Sequence, residues 1–100
     1  MTETVTHNDG GSVSRQLMIV NKRGLHARAS AKFVQLVTGY DATVEVEKDG
    51  VTVGGTSIMG LMMLAASPGC AISITAHGND AEAVVAALEE LVADRFGEEC

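Results

Sequence analysis

"ASAKFVQLVTGYDATVEVEKDGVTV", residues 29–53, changes its hydrophobic period once, and that change decides the fold. Ala29, Phe33, Leu36, Val37 and Tyr40 recur at the three-and-four spacing of a helix with one buried face. Gly39 is placed to end that helix. From Thr43 the period falls to two. Val44 and Val46 point one way and Thr43, Glu45 and Glu47 the other, which is a half-buried strand. Lys48-Asp49-Gly50 then supplies a tight turn into Val51-Thr52-Val53, a hairpin signal.

On either side the chain repeats the same two periods. "SRQLMIV" (Ser14 to Val20) has strand composition, and "NKRGL" (Asn21 to Leu25) reads as a loop. "GGTSIMGLMMLAAS" (Gly54 to Ser67) is a short Met-rich helix candidate, stopped by Pro68-Gly69. Its internal Gly60 costs about 1 kcal/mol relative to alanine. "CAISITAH" (Cys70 to His77) alternates again, with Cys70, Ile72, Ile74 and Ala76 inward. Asn79 and Glu82 resemble a capping pair that starts a last helix. Val84, Val85, Leu88, Leu91, Val92 and Phe96 form its apolar stripe. The order is β-α-β-β-α-β-α. It predicts an α/β (α+β) two-layer open-faced sandwich, with a four-stranded antiparallel sheet and three helices on one face. Residues 1–13 are polar and aperiodic and are expected to form a flexible N-terminal tail, leaving a single domain over 14–97.

The chain has 100 residues, enough for one modest core, and only 3% are aromatic, so that core must be aliphatic. A formal charge of -6 argues against nucleic acid and against an anionic membrane surface. No apolar run is long enough to span a bilayer, and the first twelve residues lack the features of a signal peptide, so the cytoplasm is the expected location. Cys70 and Cys100 are unclustered and read as reduced thiols. No paired metal-ligand spacing occurs, and no metal or cofactor is expected. His7 and His77 read as solvated. No Ser-His-Asp order, P-loop or dinucleotide motif is present.

His26 is different. In "RGLHARAS" (Arg23 to Ser30) it falls where the Gly24 turn hands over to the first helix. Backbone N–H groups there have no intrahelical acceptor, and the helix dipole adds partial positive charge, so the place attracts phosphate. Arg28 adds a rigid positive fork suited to phosphate oxygens. A positive setting disfavours imidazolium, so the ring is expected to be neutral and open to solvent, with a free lone pair. The chemistry this favours is transient phosphorylation of a ring nitrogen. A histidine at a helix start also serves as a plain polar cap, and local physics alone leaves both readings open.

"NKRGLHARASAKFVQLV", with "TSIMGLMMLAASPGCAISITAHGNDAEAVVAALEEL" downstream, resembles the histidine-containing phosphocarrier (HPr) family of the bacterial phosphoenolpyruvate-dependent phosphotransferase system, over about residues 15–95. The resemblance implies that His26 takes a phosphoryl group on Nδ1 from phosphorylated enzyme I and passes it to IIA-type proteins, with Arg28 accompanying the phosphate. It also implies a cytoplasmic carrier rather than an enzyme acting alone. Many members have proline after that arginine, where this chain has Ala29, which restricts the first helical turn less.

Ser57 precedes the short helix and is a natural N-cap. In some members "SIMG" carries a regulatory serine phosphorylated by an ATP-dependent HPr serine kinase/phosphorylase, although Thr56 here replaces a common lysine. The resemblance further assigns Ala27, Arg28, Ile58, Met59 and Met62 to partner contact, and Leu61 and Leu64 to the core. Three methionines within "MGLMML" suit a surface that repacks against several partners. Two alternatives stand beside this reading: a non-catalytic regulatory docking module of the same fold, and a carrier of a nitrogen-related branch rather than of sugar uptake. Motif residues do not separate the two branches. A monomer is the default.

Overall fold

Asp49 and Gly50 take φ values of 54° and 83°. Two successive positive φ values make the mirror-image turn whose twist matches a hairpin. In the computed structural model, which describes residues 12–98, this turn pairs β2 (Thr43–Lys48) with β3 (Val51–Gly54) in antiparallel register, Lys48 opposite Val51. β1 (Val13–Met18) and β4 (Ala71–His77) complete a four-stranded antiparallel sheet of order β1-β4-β2-β3. Alternation decides its faces: Leu17, Val44, Val46, Ile72, Ile74 and Ala76 are buried on one side. The helices α1 (Ala27–Thr38), α2 (Ile58–Met63) and α3 (Ala81–Ala93) cover that side. The order and architecture are those the sequence predicts. Phe33, Leu61, Val84, Leu88 and Phe96 fill the space between the layers.

Local chemistry moves several boundaries. The Met-rich helix occupies Ile58–Met63 rather than Gly54–Ser67. Gly54 ends β3, Ser57 caps the helix, and Ala65 at φ 54° reverses the chain behind it. Gly39 is the C-cap of α1 but keeps φ at -84°, so it ends the helix without the left-handed form. Asn79 does not cap α3. The cap position is Asp80, whose carboxylate accepts from the Asp41 N–H at 2.8 Å, while Asn79 donates to Asp41 Oδ2 at 2.9 Å. Cys70 lies one residue before β4 and is half-buried, its carbonyl accepting from the Ile19 N–H at 2.9 Å. β1 starts at Val13, one residue inside the expected tail. The rest of that tail through residue 11, with His7 and Cys100, lies outside the described residues.

Candidate functional site

The loop before α1 is pinned on both sides of His26. Asn21 is buried, and its Nδ2 donates to the Gly24 carbonyl at 2.8 Å. Gly24 sits at φ 66° against the loop after α2, where a Cβ atom would come within 2.2 Å of the Ala66 carbonyl oxygen. Leu25 is buried and donates its N–H to that same oxygen at 3.0 Å. On the other side the Ser30 hydroxyl donates to the Leu25 carbonyl at 3.2 Å.

His26 is the N-cap of α1, in extended conformation with φ -75° and ψ -178°. Its carbonyl accepts the Ser30 N–H at 2.9 Å, but its ring makes no capping bond. The first-turn amides of Ala27, Arg28 and Ala29 precede the first intrahelical bond, which is the usual source of anion affinity at a helix start. Beside them lies an open cleft of about 400 Å³ lined by Lys22, Arg23, His26, Arg28, Lys32, Gly97 and Glu98. Four of those side chains are cationic and one is acidic, in a chain whose formal charge is -6. The local potential is therefore opposite in sign to that of the whole molecule.

The ring is not open to solvent, contrary to what the sequence predicts. It is mostly covered, with His26 and Glu98 side chains each 17% exposed. The cover is Glu98, whose carboxylate meets His26 Nε2 directly. Asn21 Nδ2 also reaches the two Glu98 oxygens, at 3.3 and 3.2 Å. The hydrogen bond from His26 holds the Glu98 carboxyl below the usual carboxylate range. Asn21's donation and the Arg23 charge add to this, against the opposing effect of burial.

Glu98 arrives there because the chain turns sharply after α3. Arg95, Phe96 and Gly97 are all left-handed, at φ 57°, 55° and 77°. Phe96 is thereby driven into the core, 1% exposed, and Lys32 Nζ donates to its carbonyl at 2.7 Å. The apolar spacing places Phe96 inward, as predicted, but it is reached through this turn and not on the helix. No local pattern in the sequence marks Glu98, Asn21 or Lys32 as a site residue. A buried aromatic followed by glycine does announce a chain reversal; nothing local names its destination.

The other predicted residues fall as follows. Ser57 Oγ caps α2 by accepting the Gly60 N–H at 3.0 Å. Leu61 and Leu64 are buried, whereas Ile58, Met59 and Met62 are 40, 70 and 40% exposed. Met63, outside the predicted contact set, is more exposed still, at 77%. Ala27 and Arg28 are exposed at the start of α1, which packs on α2. His77 ends β4 and is exposed. No helix among the described residues is long and apolar enough to cross a membrane.

Comparison with known proteins converges on one family. Residues 13–94 match the family described as PTS HPr component phosphorylation site. The phosphocarrier protein HPr of Cupriavidus necator is 44% identical over 86 residues, which is 86% of this chain and 97% of that protein. The phosphocarrier protein HPr of Neisseria meningitidis serogroup A has the same identity and coverage. The crystal structure of HPr-C-His from Thermoanaerobacter tengcongensis superposes with a TM-score of 0.83 at 41% identity, covering 88% of this chain and 99% of that one.

Proposed function

Because the chain belongs to the HPr family of phosphocarrier proteins of the phosphotransferase system, we propose that His26 relays a phosphoryl group between larger proteins in the cytoplasm. Phosphorylated enzyme I is the donor and IIA-type proteins are the acceptors. The Nδ1 lone pair attacks phosphorus, and the bond from phosphorus to the donor breaks with its electrons returning to the donor. In the second step a nucleophile of the IIA-type protein takes the group from Nδ1. Arg28, the other cations of the cleft and the first-turn amides offset the phosphate charge in passage.

The observation that carries this reading is the imidazole at the N-cap of α1, in a cationic cleft of an acidic chain. Ala27, Arg28, Ile58, Met59 and Met62 form the partner surface, supported by their exposure beside the histidine loop. The test is incubation with enzyme I and phosphoenolpyruvate, followed by mass measurement. The wild-type chain is expected to gain one acid-labile phosphoryl group and His26→Ala none. No gain by the wild type would favour the docking-module alternative.

Ser57 is the regulatory site of this proposal. A phosphate there adds about -1.5 to -2 charges among the exposed apolar side chains of α2. Ser57→Asp keeps an acceptor at the cap, so the helix should persist while transfer from enzyme I slows by about tenfold. Equal rates for Ser57→Asp and wild type would remove the regulatory role.

A further inference from the structure

We propose that Glu98 is a positioning residue for phosphoryl transfer: it keeps a proton on His26 Nε2, so that the lone pair stands on Nδ1 and the ring departs neutral at hand-off. The inference rests on the carrier reading above and names a residue that reading does not use.

A carboxylate only accepts hydrogen bonds, so the nitrogen it meets must be the one bearing hydrogen. In a neutral ring the other nitrogen then carries the free electron pair. The contact is built rather than incidental, because separate parts of the chain hold Glu98 in place. Asn21 Nδ2 reaches both of its oxygens and is itself anchored to the Gly24 carbonyl. Phe96, two residues earlier, is buried, and its carbonyl is held by Lys32 of α1. A buried aromatic and an amide thus fix a carboxylate behind the imidazole, the arrangement by which a third group orients a histidine in covalent catalysis.

The electron count shows why the proton matters. On attack, the Nδ1 pair becomes the N–P bond and the donor recovers the pair of the bond it loses. Nε2 keeps its hydrogen, so the ring becomes a phosphorylated imidazolium, and the Glu98 carboxylate lies against that cation. On hand-off, the N–P pair returns to Nδ1 and a neutral imidazole departs. Without the Nε2 hydrogen the departing group would be an imidazolate anion, a far poorer leaving group. One carboxylate therefore assists acceptance and donation alike. Lys22, Arg23 and Arg28, which face the same cleft, remain for the phosphate oxygens.

The test uses the full chain and its Glu98→Ala and Glu98→Asp variants. Nitrogen-15 NMR reads which ring nitrogen of His26 carries hydrogen, and rapid mixing with phosphorylated enzyme I reads the transfer rate. The wild type is expected to show hydrogen on Nε2. Glu98→Ala is expected to show a mixture of both ring forms and transfer slowed by about tenfold or more, with partial recovery in Glu98→Asp. A slowed Glu98→Ala variant whose ring nitrogens match the wild type would overturn the positioning role, because a purely structural defect gives that result. Unchanged rate and ring form would overturn it too, with the carrier reading intact. A wild-type chain that accepts no phosphoryl group fails the carrier reading and takes this inference with it.

Discussion

Phe96→Ala is expected to lower the free energy of unfolding by about 3–5 kcal/mol, measured from a urea titration at constant slope. Phe96 is among the largest fully buried side chains of the chain, and its loss leaves a cavity between the layers. Alanine brings no relief of backbone strain in exchange, since it is as disfavoured as phenylalanine at φ 55°. Burial of the ring, together with the Lys32 bond to its carbonyl, holds the left-handed turn in place. The same substitution should therefore release Glu98 from His26, and the NMR signals of the ring should shift together with the stability. A loss under about 1 kcal/mol would mean that the ring is not packed in solution.

Gly24→Ala should be nearly as damaging, for a backbone reason. The φ of 66° is unfavourable for any residue with a Cβ, and the added carbon would stand 2.2 Å from the Ala66 carbonyl oxygen. That oxygen belongs to the main chain and also accepts the Leu25 N–H, so it cannot swing aside without breaking a bond that anchors the histidine loop. Strain and forced displacement together are expected to cost about 2–5 kcal/mol. Thermal unfolding reads this cost directly, and an unchanged midpoint would refute the close approach. Phosphoryl acceptance by the folded fraction should fall as well, because Gly24 and Leu25 set the direction from which the ring enters the cleft.

Why some of this was legible in the sequence and some not follows from the range of each interaction. The β2–β3 hairpin was readable because its alternation and its Asp49-Gly50 turn are local and agree. The position of His26 at the start of α1 was readable for the same reason: Gly24 ends the loop and Ala29 and Phe33 open the helical period. The α2 boundaries drifted because two glycines, a serine and a run of methionines satisfy both a long helix and a short capped one. Only the packing of Gly55 over Val44 and the reversal at Ala65 choose between them.

The His26–Glu98 pair was not legible at all. Its members are 72 positions apart, and "GEE" at the end of an acidic chain looks like solvated charge. The i to i+4 step from Val92 to Phe96 predicts the correct burial whether the helix continues or breaks. The break is what carries Glu98 to the imidazole, and it is settled by the packing of one aromatic ring and the Lys32 bond to its carbonyl.

The direction of β1 has a practical bearing on how such a molecule can be fused, tethered or labelled. Its six residues run toward the histidine loop and span about 17 Å, so Val13 marks the pole of the sheet remote from the imidazole. Fluorophores or linkers joined upstream of Val13 leave from that distant pole. Anything grafted downstream of Glu98 begins beside the ring, where it crowds the imidazole and the cationic cleft next to it.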